Sequence, residues 1–214
     1  MNEAETRFEL IDPALKAAGW SVVPGSRIRL EYPITLGRLL GAGGNRSNPD
    51  KADFVLEYKG RMVAVIEAKK RDLGHTEGLG QAKKYADKLK LRHAFSTNGR
   101  GIYQVDMLTG REGTIDRWPT PDELWNILHP IAERPAPSAI DWSDRFGAVP
   151  FEDKSGSWQP RYYQDLAIQR VLDSVAKGKD RILLTLATGT GKTAIAFQIA
   201  WKLLEARWNV QRDG

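Results

Sequence analysis

Apolar and polar positions along the chain fall into helical and extended stretches with clear punctuation. Residues 3–18 place Phe8, Leu10, Ile11, Leu15 and Ala18 near helical spacing, which predicts an amphipathic helix. Pro13 is a candidate break or kink in it, and Gly19 a candidate C-terminal cap. Val22–Tyr32 reads as an edge strand, and glycine-rich Leu36–Pro49 as a loop. Ala52–Tyr58 and Met62–Ala68 are rich in β-branched and aromatic residues, with the turn signal Lys59-Gly60-Arg61 between them, so they predict a β-hairpin. Gly78–Leu91 predicts a helix, Ala94–Thr97 a strand, Asn98-Gly99 a turn and Gly101–Asp106 a further strand. Thr120-Pro121-Asp122-Glu123 is a helix start, running to Leu128. Little periodicity follows through Gly156, where Trp142, Phe146, Phe151 and Trp158 read as anchors of a linker. Asp180–Leu186 predicts a buried strand, Thr188–Thr193 a Gly-rich turn and Ala194–Ala206 a helix.

The first hairpin carries charge at its apolar end. Side chains alternate along a strand, so Glu67 and Lys69 point the same way. A three-residue loop, or a shorter loop with a bulge, sets Asp53 opposite Glu67. A plain two-residue loop sets Asp53 opposite Ile66 and splits the carboxylates between faces. Two carboxylates facing each other repel, and a divalent cation removes that cost. Oxygen ligands suit Mg²⁺ or Mn²⁺, which can polarise a phosphate and acidify a bound water. Lys69 would orient or deprotonate that water, or stabilise charge on the phosphate. An ordinary hairpin with solvent-facing charges is the bland alternative, but charge amid buried positions is costly without a purpose.

These residues resemble a known group. Asp53, the tripeptide Glu67-Ala68-Lys69 and the downstream Gln81-x-x-x-Tyr85 are similar to the PD-(D/E)xK nucleases of the RecB-like kind. The wider stretches Val65–Lys70, Gly80–Ala86 and Ser96–Gly99 resemble the N-terminal nuclease domain of the restriction subunit of Type I restriction enzymes. The resemblance covers most of residues 1–130 and implies metal ligation by Asp53 and Glu67, a further ligand from the Ala68 carbonyl, and a catalytic Lys69. Pro49-Asp50 is a literal Pro-Asp, yet Asp53, which opens the strand, is the expected ligand. Gln81 and Tyr85, four apart on one helix face, are implied to contact DNA and steady the centre. The resembled nucleases often add an acid from the first helix; Glu5 is the expected one, with Glu3 and Glu9 as rivals.

The second motif is Ala187-Thr188-Gly189-Thr190-Gly191-Lys192-Thr193. Strand, Gly-rich turn and helix is the context a nucleotide phosphate loop needs, with backbone N–H groups cradling phosphates at the helix N-terminus. Lys192 would reach the β and γ phosphates and Thr193 would ligate Mg²⁺. Leu186 stands where the generic pattern has its first Gly, so the motif resembles the superfamily 2 helicase variant, and Arg161-Tyr162-Tyr163-Gln164 resembles the helicase Q motif, in which Gln164 would read adenine. No Asp-Glu-x-His or Asp-Glu-x-Asp box follows Lys192, so the chain is expected to be an N-terminal fragment that does not turn over ATP.

Composition bounds the rest. With 214 residues, 41% hydrophobic, and seven Trp, the chain has the makings of a folded core. A net charge of +5 and a pI near 9.4 suit a nucleic-acid partner without establishing one. The absence of Cys excludes disulfides and thiolate metal sites, and His75, His93 and His129 lack metal-ligand spacing. The acidic N-terminus is unlike a signal peptide, and no apolar run has membrane-spanning length, so a cytoplasmic protein without membrane contact is expected.

The expected architecture is α/β: a PD-(D/E)xK restriction-endonuclease-like mixed sheet flanked by helices over residues 1–132, a linker over 133–156, and the first part of a RecA-like domain over 157–214. By resemblance, double-stranded DNA is the substrate, methyltransferase (M) and specificity (S) subunits are partners, and ATP drives translocation in the whole protein. A non-cutting DNA- or subunit-binding module and a helicase–nuclease outside Type I systems are the alternatives.

Overall fold

The computed structural model describes residues 2–34, 39–40, 45–46, 50–130, 140–153 and 160–208. Most of the 36–49 segment expected as a loop, part of the 133–156 stretch expected as a linker, and Trp158 lie outside them. The chain divides into two compact units, Met1–Tyr58 with Met62–Ile131, and Lys59–Arg61 with Ala132–Gly214.

The first unit is built on a six-stranded mixed sheet of order β1-β4-β5-β6-β7-β8. Its strands are β1 (Ser26–Pro33), β4 (Lys51–Tyr58), β5 (Arg61–Ala68), β6 (His93–Thr97), β7 (Ile102–Asp106) and β8 (Glu112–Ile115). Between the first two of these, β2 (Leu39–Leu40) and β3 (Asn45–Arg46) form a separate antiparallel pair. β1 is the edge strand the sequence predicts, and it runs antiparallel to β4. β5 and β6 are parallel, joined through α3 (Leu79–Leu89), because parallel neighbours need a crossover. β8 was not expected from sequence; its four residues include Gly113 and show only half-burial, a weak period-2 signal.

The loop between β4 and β5 is the shorter of the two expected. Lys59 and Gly60 both take positive φ, 51° and 72°, the hairpin-turn geometry that favours glycine. That turn alone would set Asp53 opposite Ile66. Further from it, however, Phe54 and Leu56 share one buried cluster with Ala64, Ile66 and Ala68, which leaves Asp53 and Glu67 on the opposite side. Val63 and Ala64, consecutive residues, both enter that cluster, so the strict alternation is interrupted there.

Helices cover both faces. On one, Ile11 and Leu15 of the N-terminal helix, Trp20, Trp118, and Leu124 and Trp125 of α4 (Pro121–Leu128) close the main core. Tyr58 joins it with an edge-on contact to Trp125 at 5.7 Å and a 2.8 Å hydrogen bond to Asp122. On the other face, α3 buries Ala82, Tyr85, Ala86 and Leu89. Pro13 does not break the first helix. α1 (Glu3–Thr6) passes into a π-helical stretch, Arg7–Ile11, and then α2 (Asp12–Ala17). Proline has no N–H for the ordinary bond to Glu9, and the wider turn, closed by Asp12 N–H to the Arg7 carbonyl, absorbs the defect. Gly19, at φ 99°, follows this helix as expected.

The second unit is helical: α5 (Trp142–Ala148), α6 (Tyr162–Ala176) and α7 (Lys192–Glu205). Phe146, Ile168, Leu172, Ile195 and Ala206 form its core. The stretch expected to be a linker therefore carries a helix, because Phe146 is buried among the apolar faces of the later helices. It is also strapped to α7: Gln198 bonds both the N–H and the carbonyl of Glu152, Trp201 donates to the Pro150 carbonyl, and Lys202 donates to the carbonyls of Phe146 and Val149. The expected buried strand at 180–186 does not form. Residues 181–187 are irregular, and Leu183 is 92% exposed. Among the described residues of this unit no strand lies beside them, and a lone strand cannot satisfy its own backbone groups.

Candidate active site

Three carboxylates lie in a row on neighbouring strands. Leu30 pairs with Phe54 and Tyr32 with Ala52, which brings Glu31 of β1 level with Asp53 of β4. Glu31 itself has φ 48°, a left-handed kink in the edge strand. The parallel register then sets Glu67 of β5 beside Ser96 of β6, and Ala68 beside Thr97. The Lys69 N–H donates to the Thr97 carbonyl at 2.8 Å, so the chain stays tied to β6 just past the end of β5.

Cations interleave with this row. Arg7 donates from Nη1 to Asp53 Oδ1 at 3.0 Å and lies 3.5 Å from Glu31 through Nη2, with its guanidinium 5.5 Å from the Phe54 ring centre. Asp53 Oδ2 accepts the Ala68 N–H at 2.8 Å. Lys69 Nζ donates to Glu67 Oε1 at 2.8 Å, and Lys51 Nζ to Glu31 at 3.0 Å. Glu67 is only 3% exposed, and its Oε2 is buried without a hydrogen-bond partner. Burial, and then the negative charge of Asp53, push the Glu67 carboxyl up to about 7, against the opposing pull of Lys69. Burial works to lower the Lys69 ammonium, but its bond to Glu67 and the charges of Glu67, Glu3 and Asp53 leave it raised.

Close packing fixes Glu67. A Cβ on Gly78, just before α3, would lie 2.8 Å from Glu67 Cγ and 3.0 Å from Ser96 Oγ, so only glycine lets the helix start there. The Gly78 N–H donates to Ser96 Oγ at 3.2 Å. One turn into α3, Gln81 donates to the Tyr85 hydroxyl at 2.8 Å, as their i, i+4 spacing predicts. Tyr85 is buried, and desolvation raises its hydroxyl, with the Glu67 charge adding to the shift.

Asn98 and Thr6 hold the loop after Lys69. Asn98 donates to the carbonyls of Arg71 and Leu73 while its oxygen accepts from Arg100 and Gly101. Thr6, fully buried, accepts the Arg71 N–H and donates to the Asn2 carbonyl. Gly99 lets the first helix approach, since a Cβ there would come within 2.8 Å of Leu10.

The first-helix acid is where expectation and geometry part. Glu5 and Asn2 form a reciprocal capping box, so the Glu5 carboxylate is turned to its own helix start. Glu3 is the acid whose charge acts on Glu67 and Lys69. Arg7 was missed altogether; the signal available was a lone Arg among the acidic residues Glu3, Glu5 and Glu9. Asp50 lies apart, paired with Lys84 at 3.3 Å and Lys88 at 3.5 Å. Lys83 pairs with Glu112 and Lys90 with Asp87, so the lysines of the α3 region face carboxylates. Among the described residues, no group of three or more Asp, Glu or His is arranged around an ion position.

In the second unit the Gly-rich turn is compact. Gly189 and Gly191 have φ 76° and 80°, and the Thr190 hydroxyl donates to the Ala187 carbonyl at 2.7 Å. Thr188, Lys192 and Thr193 are exposed there, the last two in the first turn of α7. Gln164 is buried against this turn: its amide nitrogen donates to the Thr190 carbonyl at 2.9 Å, and its oxygen accepts the Arg161 N–H at 2.9 Å. Both ends of the side chain are thus held by backbone.

Residues 157–211 match the family described as Type III restriction enzyme, res subunit. Over 97% of its length the chain is 35% identical to the Type I restriction enzyme EcoAI endonuclease subunit of Escherichia coli, and 24% identical to the EcoKI endonuclease subunit of Escherichia coli strain K12. The chain spans 26% and 22% of the lengths of those relatives. Among solved structures, a fragment of an HsdR subunit of a type I restriction enzyme from Vibrio vulnificus YJ016 superposes with a TM-score of 0.80 at 40% identity, covering 97% of this chain and 39% of that one. Along nearly its whole length the chain is therefore a homologue of HsdR-type endonuclease subunits.

Proposed function

We propose, from this homology and from the carboxylate row, that the chain carries the DNA-cutting module of a Type I restriction endonuclease subunit. Residues 1–132 form that module, of PD-(D/E)xK type; 133–156 connect it to residues 157–214, the opening of an ATP-driven DNA translocase. In the whole protein, cutting of double-stranded DNA depends on that motor and on methyltransferase and specificity subunits.

The observation that carries the reading is Glu67: a buried carboxylate with an unpartnered oxygen, facing Asp53 and bonded to Lys69. An all-oxygen donor set with charge to neutralise fits Mg²⁺ or Mn²⁺, an ion that keeps much of its water and so asks for few protein ligands. Asp53, Glu67 and the Ala68 carbonyl would hold it, with Glu3 rather than Glu5 as the first-helix acid. When bound, such an ion supplies Lewis-acid polarisation of a phosphate and a more acidic water. Lys69, kept charged by Glu67, stabilises negative charge developing on the phosphate. Tyr85, buried and bonded by Gln81, anchors α3 beside Glu67, and the exposed Gln81 is the one available to DNA.

In the second unit, the start of α7 offers backbone N–H groups to phosphate, with Lys192 and Thr193 for phosphate and Mg²⁺. Gln164 acts there by bracing the turn, besides any contact with adenine.

The test is plasmid nicking in Mg²⁺ or Mn²⁺. Lys69→Ala abolishes nicking and leaves DNA binding largely intact; unchanged cutting rejects the assignment. A second reading, a non-cutting DNA- or subunit-binding module, is favoured by the ion pairs that already occupy Asp53 and Glu67. DNA binding with no metal-dependent nicking by the unaltered protein would select it.

A further inference from the structure

Arg7 occupies one oxygen of Asp53, a proposed ligand of the cation. Its guanidinium is held on three sides: by Asp53 at 3.0 Å, by Glu31 at 3.5 Å, and by the Phe54 ring. The side chain is only 19% exposed, so it is not a floppy surface arginine. Its longer contact, to Glu31, lies along the row on the side of Asp53 away from Glu67. Glu31 in turn is steadied by Lys51, and its carboxyl is held below the usual range mainly by that bond.

A guanidinium and a divalent cation repel each other at close range, and with Asp53 Oδ2 already accepting the Ala68 N–H they compete for Oδ1. Resting on the proposed nuclease site, we infer that Arg7 is a built-in counter-ion for Asp53, displaced onto Glu31 when a divalent cation arrives. The pair Asp53 and Glu31 gives the guanidinium two seats, one on either side of a small swing. Arginine suits this role: it is always charged, forks to two carboxylates and lies flat on an aromatic ring. In the cation-free chain it lies between Asp53 and Glu31 and offsets their mutual repulsion, so that pair persists in its folded arrangement. With the cation in place, the guanidinium stays at the site's edge as a fixed positive group. Arg7 is a positioning residue by this account, acting through Asp53.

Its signature is a pair of opposite effects on cation binding, which loss of folding alone would not produce. Calorimetric titration of Mn²⁺ and of Ca²⁺ into the chain without DNA reads this directly. Arg7→Gln removes the competitor and tightens binding about tenfold, the gain expected when a competing state that dominates is deleted. Glu31→Gln removes the second seat, pins Arg7 on Asp53 and weakens binding several-fold. Arg7→Lys keeps a charge and binds much as the unaltered chain does. Circular dichroism and a melting curve in EDTA establish folding of each variant; if Arg7→Gln does not fold, the Glu31→Gln and Arg7→Lys comparison still decides. Equal affinity in all of these, or weaker binding by folded Arg7→Gln, overturns the inference while leaving the nuclease reading standing. No binding by the unaltered chain or by any variant removes both.

Discussion

Gly78 and Glu67 approach so closely that the helix start leaves no room for a methyl group between them. The separation that a Cβ would have from Glu67 Cγ is 2.8 Å, and from Ser96 Oγ 3.0 Å. Glu67 is thus positioned by a wall as well as by the strand that carries it.

That wall can be tested against its neighbour. Gly78→Ala pushes on Glu67 and Ser96 and costs about 1–3 kcal/mol, the usual range for overpacking. Gly80, two residues on, meets nothing within 4 Å, so Gly80→Ala gains about 0.5–1 kcal/mol from helix propensity. Urea denaturation of both variants gives the comparison. Equal effects of one sign would show that the wall does not exist.

Glu67 also predicts a pH dependence in the absence of divalent ions. Its folded pKa, about 7, lies above the ordinary glutamate value of 4.5, so the folded state holds the proton more tightly than the unfolded one. The favourable contribution is complete below the unfolded value and is lost as pH rises through the folded one. Glu67→Gln cannot titrate, so in EDTA it should exceed the unaltered chain by on the order of 2 kcal/mol at pH 8 and match it near pH 4.5. A pH-independent difference between the two proteins would rule this out.

Gln164 ties the start of α6 to the phosphate-loop turn. Gln164→Ala leaves the Arg161 N–H and the Thr190 carbonyl without this partner, at a cost of about 1–3 kcal/mol. Gln164→Glu keeps the acceptor and loses only the donor. Both variants should exchange amide hydrogens faster at residues 187–193 and bind a fluorescent ATP analogue more weakly. Unchanged exchange in that turn would mean that Gln164 does not brace it.

The parts of this structure legible in the sequence are those governed by local pattern. The hairpin, the Thr120 capping box and the Gln81–Tyr85 pair follow from residues a few positions apart. The mixed α/β architecture also follows, since a helix between two strands implies a parallel crossover. What escaped depends on partners distant in sequence. Nothing near Arg7 announces Asp53, 46 residues on. Glu5 has the right composition for a ligand, yet the Asn2 cap takes it first. Asp180–Leu186 has the composition of a strand but no neighbour among the described residues. Phe146 looked like a linker anchor because its burial depends on α6 and α7, which follow it.

The parallel pairing of β5 with β6 sets a lower bound on how little of this chain can stand alone. A peptide cut to the β4–β5 hairpin would own Asp53, Glu67 and Lys69, yet lack the arginine that quiets one carboxylate and the serine and glycine that corner the other. Their arrangement is a property of a stretch reaching from Asn2 to Asn98, so miniaturising the centre means keeping the first helix, the crossover and the third central strand together.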